Sequence, residues 1–237
     1  GAQLDEHYQL YYAHDGREGL ERALSLVPDI IVTDLMMPAM DGLEMTKRLR
    51  ASEVTNHIPI IVITAKVSEE DRVRGLETCV DAYLTKPFNS VELRVRVERL
   101  LESRAMLQKK YTSSLRVDEL KTQDVDKADS EFLMRVVEKM NVAMAQHQPT
   151  DVDAMASAMC MSARQFSRKI QAITGDAPTM YLNRVKIARA KQALLQHLDW
   201  PVAEVALYSG FEDAAYFGKI FRQIEGTTPS LYRKKQN

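Results

Sequence analysis

Apolar runs and apolar stripes divide the chain into two unlike parts. In the first part, Ile30-Ile31-Val32 and Ile60 to Ala65 (IIVITA) are short and almost wholly apolar, and Ala82 to Phe88 (AYLTKPF) opens in the same way. Such runs read as strands of a parallel sheet, buried on both faces. Between them the period becomes helical: Leu20, Ala23, Leu24 and Val27 make one stripe within Arg17 to Val27, and Gly42 to Arg50 predicts the next helix. Tyr8 to Ala13 reads as an earlier strand, and alternation of strand and helix predicts right-handed crossover units. A further helix is predicted from Ser68, a hydroxyl cap followed by Glu69, Glu70 and Asp71, acids suited to a helix's positive end. Asn89, with Glu92 three residues on, caps a last helix whose stripe Val91, Val95, Leu100, Leu101 and Leu107 predicts an unbroken run through Lys110.

From Tyr111 to Ser130 the chain turns polar and reads as a linker. Beyond it every pattern is helical, and it repeats. Val152, Met155 and Ala156 return as Val202, Val205 and Ala206; Phe166, Arg168 and Ile170 return as Phe217, Lys219 and Phe221. Gly175, Pro178 and Tyr181 return as Gly226, Pro229 and Tyr232, with one residue inserted in the second copy. Each copy reads as a short helix, a tight turn at Cys160-Met161 or Gly210-Phe211, and a second helix: a helix-turn-helix. The helix expected from Pro178 to His197 spans roughly 30 Å. Successive major-groove faces lie about 34–36 Å apart, so two recognition helices mounted on it suit adjacent grooves on one side of a duplex.

The three strands of the first part each deliver a polar side chain to a carboxyl-terminal end, where parallel sheets gather their chemistry. Ile30 to Val32 lead to Asp34 and a Met-Met-Pro turn closed by Asp41-Gly42; IIVITA ends on Thr64; AYLTKPF ends on Lys86, with Tyr83 three residues earlier. Alone, an aspartate before such a turn reads as its cap. In this order and spacing the set resembles the receiver domain of two-component response regulators, a flavodoxin-like α/β fold on a parallel sheet. The resemblance implies that Asp34 accepts a phosphoryl group from a phosphohistidine and becomes an acyl phosphate. It also implies that Thr64 hydrogen-bonds one phosphoryl oxygen, Lys86 pairs with another, Tyr83 swings inward as a switch, and Lys86-Pro87 is cis. A carboxylate attacks an anionic donor only when cations neutralise the transferring group, which is the task of the lysine and a metal.

Receivers take magnesium from an acidic pair after the first strand, from the phosphoacceptor, and from a backbone carbonyl two residues on, here Asp34 and Met36. The acidic pair has no counterpart. The opening, GAQLDEHYQLYYAHDG, resembles the end of the first receiver helix followed by the second strand, so the first strand is expected to be missing. Asp5 and Glu6 read as a solvated helix end and not as metal ligands. Magnesium belongs to a complete receiver, and this chain is expected to bind it weakly and to be phosphorylated poorly.

The second part resembles the AraC/XylS type of DNA-binding domain over Glu131 to Lys235, above all in GFEDAAYFGKIFRQIEGTTPSLYRK. The resemblance implies recognition helices at Ser162 to Ile170 and Glu212 to Ile224. Their base-facing positions are Arg164, Ser167 and Arg168 in the first, and Ala214, Ala215, Tyr216 and Lys219 in the second. Arginine can take guanine bidentately, whereas alanine offers only apolar contact, for instance to a thymine methyl. Phe166, Phe217, Ile220 and Phe221 fall on buried stripes and read as core, and Trp200 before Pro201 reads as a helix staple. Cys160 departs from the family, whose turn carries glycine there, as the second copy does at Gly210.

Composition adds little except in its distribution. Among 237 residues, 45% are apolar, enough for ordinary cores. No apolar stretch reaches membrane-spanning length and no signal peptide is visible. Cys79 and Cys160 fit neither a disulfide framework nor a zinc spacing, which suits a reducing cytoplasm, and the five histidines are scattered. The net charge is −1, yet from Ser162 onward twelve Lys and Arg stand against six Asp and Glu. That surplus is what a phosphate-binding surface requires.

The expectation is therefore a receiver over 1–110, incomplete at its start, a linker over 111–130, and an all-α double helix-turn-helix domain over 131–237 with motifs at 152–172 and 202–224. Its function is expected to be that of a phosphorylation-regulated, sequence-specific DNA-binding transcription regulator, a phosphoacceptor and not an enzyme. Double-stranded DNA, a histidine kinase or phosphotransfer domain, and a second copy in the active state are the expected partners. One alternative makes this the cytoplasmic tail of an inner-membrane hybrid sensor kinase. Another is an adaptor or DNA binder that needs no phosphorylation. A phosphohydrolase of the haloacid dehalogenase type is disfavoured, because it places a second aspartate two residues after its nucleophile, where Met36 stands.

Overall fold

The structure, a computed structural model, describes residues 8–65, 80–113 and 127–236. It divides into two compact units, Gly1–Gln108 and Lys109–Asn237.

The first unit holds α1 (Gly16–Leu26), β1 (Ile31–Asp34), α2 (Gly42–Ala51), β2 (Ile60–Thr64), β3 (Ala82–Thr85) and the start of α3 (Ser90–Ser113). Local chemistry sets the helix starts. The Asp15 carboxylate accepts from the amides of Arg17 and Glu18, Asp41 from Glu44, and the Asn89 side chain from Glu92, each satisfying donors that a first helical turn leaves unpaired. The strands form one parallel sheet in the order β1-β2-β3, with Ile31 opposite Ile60, Asp34 opposite Ile63, and Thr64 opposite Thr85. On one face Ile60 and Val62 pack with Ala23, Leu35, Leu43 and Leu49 from the α1–α2 side. On the other, Ile61 and Leu84 pack with Val97, Leu93 and Leu100 of α3.

Two strand expectations are corrected here. The run Ile30-Ile31-Val32 is not buried on both faces: Val32 is 39% exposed, because α3 covers β2 and β3 but leaves β1 open on that side. Tyr8 to Ala13 is not a strand. Among the described residues β1 pairs only with β2, and an extended segment with no ladder to join gains nothing from β geometry. Tyr8 packs instead against the Ile61–Leu84–Val97 cluster. The helix expected from Ser68, together with Asp5, Glu6 and Cys79, lies outside the described residues.

A polar clamp closes the entry side of this sheet. Arg50, near the end of α2, donates to the carbonyls of Asn56 and Ile58 at 2.9 and 2.7 Å and to the Asp81 carboxylate at 2.5 Å. The same Asp81 oxygen accepts from the Ile60 amide at 2.7 Å, so one ion pair ties α2 to the starts of β2 and β3.

The polar stretch read as a linker narrows at both ends, since α3 holds through Ser113 and the next helix begins at Lys127. The second unit is wholly helical: α4 (Lys127–Ala145), α5 (Val152–Ala158), α6 (Ala163–Thr174), α7 (Pro178–Gln196), α8 (Val202–Tyr208), α9 (Ala214–Glu225) and α10 (Pro229–Gln236). The repeat is realised element for element, α5-α6 matching α8-α9, and α7 bridges the two motifs. Asp151 caps α5, Ser162 and Gln165 close a capping box on α6, and Asp213 caps α9. Gly175 and Gly226, both left-handed, end α6 and α9. Around α7 the second motif builds its own core from Ile187, Ala190, Leu194, Val205, Phe217 and Phe221, packed against Trp200 and Tyr232.

Candidate phosphoacceptor site and nucleic-acid interface

The parallel register brings Asp34, Thr64 and Lys86 to one end of the sheet. Leu35 follows Asp34 and donates its amide to the Ile63 carbonyl at 2.7 Å, while the Lys86 amide donates to the Thr64 carbonyl at 2.7 Å. All three strands therefore release their chains together. The Lys86 ammonium pairs with the Asp34 carboxylate. The carboxylate's other oxygen accepts from the Met36 amide at 3.3 Å, and Met36 itself is exposed. Thr64 is buried, Tyr83 is half-buried against the α1–α2 core, and the Lys86-Pro87 bond is cis.

The loop that carries Asp34 is held by its own backbone. The Gly42 amide donates to the Leu35 carbonyl at 2.9 Å, and α2 approaches so closely that a Cβ on Gly42 would lie 2.3 Å from the Asp34 carbonyl oxygen. Glycine is required there by proximity, which accounts for the Asp41-Gly42 closure.

The donor set at this spot is poor in charge. Magnesium demands near-octahedral oxygen ligation. The Asp34 carboxylate is already paired with Lys86, and among the described residues no group of three or more His, Cys, Asp or Glu comes together. Asp34 and the Met36 carbonyl do not by themselves fit the ion.

In the second unit α6 and α9, the helices expected to read DNA, bury one face and show the other. On α6, Phe166, Ile170 and Ile173 are buried while Arg164 is exposed and Ser167 and Arg168 are half-exposed. On α9, Phe217, Ile220 and Phe221 are buried, and Ala214, Ala215, Tyr216 and Lys219 are exposed. The four aromatic and aliphatic residues read as core are core. Both turns use a left-handed residue, Cys160 at φ 56° and Gly210 at φ 80°. Trp200 stacks on His197 at 3.9 Å and meets Tyr208 edge-on at 5.4 Å, closing the start of α8.

What the sequence reading missed is the polar side of α7. Asn183 donates to the Tyr216 hydroxyl at 3.1 Å; the Lys186 ammonium lies 5.4 Å from the Phe211 ring centre; and Arg189 lies 4.2 Å from the Tyr208 ring while its Nε donates to the Tyr208 carbonyl at 3.1 Å. Burial holds the Lys186 ammonium below the usual lysine range, with Glu212 and Asp151 pulling it back up. Two ion pairs add to this, Arg184 with Asp176 and Lys191 with Glu225, each tying α7 to the end of one recognition helix. The Tyr181 hydroxyl is buried, and desolvation with the nearby Asp176 charge raises its pKa. The spacing of Asn183, Lys186 and Arg189 was visible as a three-residue step, but their partners lie 19 to 33 residues away. No local pattern names such partners.

Comparison with known proteins finds two families along the chain. Residues 2–98 match the response regulator receiver domain family and residues 155–235 a helix-turn-helix domain family of the AraC type. The chain is 34% identical over 152 residues to the response regulator ArlR of Staphylococcus saprophyticus, covering 60% of this chain and 67% of that protein. It is 29% identical over 232 residues to histidine kinase P4 of Formosa agariphila, which covers 98% of this chain but only 17% of the kinase. Among solved structures, the receiver domain of the Pseudomonas aeruginosa sensor histidine kinase PA1611, which holds magnesium in its active site cleft, is 31% identical with a TM-score of 0.40, covering 43% of this chain and 84% of that one. Among the described residues no helix is long and apolar enough to cross a membrane. The chain belongs to the two-component response regulators, with a receiver domain joined to an AraC-type helix-turn-helix domain.

Proposed function

We propose that this chain reads DNA sequence through α6 and α9 under the control of a phosphoryl group on Asp34. The observation that carries the reading is the mounting of two recognition helices on one bridging helix. At about 1.5 Å per residue, the 19 residues of α7 span roughly 28 Å, close to one turn of B-DNA. Arg164 and Arg168 supply guanine recognition and phosphate charge in the first motif. Ala214 and Ala215 offer apolar contact in the second, with Lys219 at the backbone.

At the receiver an Asp34 carboxylate oxygen attacks the phosphorus of a phosphohistidine, the P–N bond breaks, and the imidazole leaves with the electron pair. Lys86 neutralises charge on the transferring group, Thr64 donates to a phosphoryl oxygen, and Tyr83 follows the threonine inward. The phosphorylated state then favours a dimer, and two DNA-reading units joined in this way gain effective concentration on a repeated site. The regulator acts in the cytoplasm, on double-stranded DNA, with a histidine kinase or phosphotransfer domain as donor.

A second reading draws support from the 98% coverage of this chain by histidine kinase P4: the same pair of domains serves as the output portion of a longer sensor kinase. The sequence encoded upstream discriminates the two, since kinase and membrane-spanning segments there support this reading and a second regulator or a start site opposes it.

Because the Asp34 carboxylate is already paired with Lys86 and does not by itself fit magnesium, this polypeptide is expected to take up little phosphate. Incubation with a small phosphodonor and magnesium, read by intact mass, should show a minor phospho-Asp34 fraction. Stoichiometric modification contradicts that expectation. Control itself is tested with the beryllofluoride complex of the longest native polypeptide: it should change oligomeric state or DNA affinity, and no change in either overturns the coupling.

A further inference from the structure

We propose that Tyr216 is a positioning residue: by its hydroxyl on Asn183 it fixes the second recognition helix against α7 and so sets the half-site spacing at which both helices engage one duplex. The inference rests on the DNA-reading proposal above and assigns Tyr216 a role other than base contact.

Three observations carry it. Asn183, Lys186 and Arg189 step by three along α7 and so share one face. They meet the second motif in reverse order, at Tyr216, Phe211 and Tyr208. Tyr208 ends α8 and Phe211 lies in the turn, so among these three contacts the one from Asn183 alone reaches α9 itself.

Second, the bond is built on a buried partner. Asn183 is only 6% exposed, and a buried amide needs its hydrogen bonds met. Tyr216 is 44% exposed, but its ring lies against Phe211 at 6.2 Å and its amide is held by the Asp213 carboxylate at 2.5 Å. The side chain is thus gripped at backbone, ring and hydroxyl.

Third, the two motifs differ at this place. The residue corresponding to Tyr216 in the first motif is Gln165, whose side chain accepts from the Ser162 amide to complete a local capping box. That motif is already close to α7, since Gly175 to Ala177 alone separate α6 from it. In the second motif Asp213 caps the helix unaided, which frees position 216 to reach α7 across 33 residues. Lys191 with Glu225 ties the far end of α9 to α7 and the shared core holds its middle, so the Asn183 bond is what fixes the start of α9, and with it the angle between the two readers.

The test uses the full chain and a duplex recovered by the wild-type protein from a random-sequence pool. Its relatives carry one base pair added or removed between the two footprinted segments, or single-base changes within them. Tyr216→Phe and Asn183→Leu remove the bond from opposite ends. The wild type should lose about tenfold in affinity for each one-base-pair change of spacing. Both variants should lose most of that spacing penalty, Asn183→Leu should do so while keeping base-by-base discrimination, and the double variant should go no further than either alone. Full retention of the spacing penalty in a folded Tyr216→Phe, or a loss confined to one base position, overturns the inference, the latter outcome making Tyr216 a base reader. If the wild type recovers no preferred duplex at all, the DNA-reading proposal fails and this inference with it.

Discussion

Cys160 and Gly210 hold the same place in the two helix-turn-helix turns, both left-handed, yet only one is glycine. A side chain in that region costs about 1–2 kcal/mol, so Cys160→Gly should leave the melting temperature unchanged or raise it. A clear fall contradicts this account of the turn. Gly210→Ala should do the opposite, because its Cβ would meet Met144 at 2.8 Å in addition to the backbone cost. Beside Asp34, Gly42→Ala forces a methyl against the Asp34 carbonyl at 2.3 Å, backbone that cannot step aside. Thermal unfolding should show the receiver weakened by on the order of 2 kcal/mol or more; an alanine variant of wild-type stability means the α2 approach is misread. The chemistry-bearing residues of this site were legible because strand ends announce themselves: an apolar run stops, and the next polar side chain is the candidate. Asp34, Thr64 and Lys86 were singled out in that way, and the sheet register brings them to one end.

Elements were legible where their logic is local. The helix cap at Asn89 follows from amide chemistry within a few residues. The twofold repeat was legible from its aromatic spacing. Tyr8 to Ala13 was misread because being a strand depends on a partner that no short window of sequence contains, and Val32 because burial depends on which helix covers which strand. The polar face of α7 was invisible for the same reason. Lys186 on that face offers a sign-definite test. Its folded pKa lies below the ordinary lysine value, chiefly through burial, so the charged form is disfavoured by folding. Lys186→Met should therefore stabilise the second unit near neutral pH. As pH rises through the lowered pKa toward the ordinary lysine range, the wild type sheds its proton first in the folded state and gains stability with it, so the advantage of the variant should shrink. Melting curves over that range check it, and a variant advantage that grows with pH contradicts the cause assigned to the shift. Arg50→Ala, by contrast, removes the clamp on Asp81 and the carbonyls of Asn56 and Ile58, and should destabilise the receiver by about 1.5–3 kcal/mol in chemical denaturation. An unchanged midpoint shows the clamp to be incidental.

For the whole molecule the proposal is one of coupled equilibria. A receiver that passes from 1:99 to 99:1 between its states on phosphorylation needs about 5.5 kcal/mol of differential stabilisation, which the Asp34–Lys86–Thr64 arrangement must supply from a few charge-assisted contacts. Recognition itself is electrostatic at long range and specific at short range. The surplus of positive charge after Ser162 draws phosphates, and the exposed sides of α6 and α9 sort sequences. The most direct measurement of this central claim is a titration of the chain against a pool-selected duplex and against unrelated duplexes, across rising salt. Tighter binding to the selected duplex is predicted, with affinity for every duplex falling about tenfold or more between roughly 50 and 200 mM salt. Equal affinity for all sequences with no response to salt contradicts it.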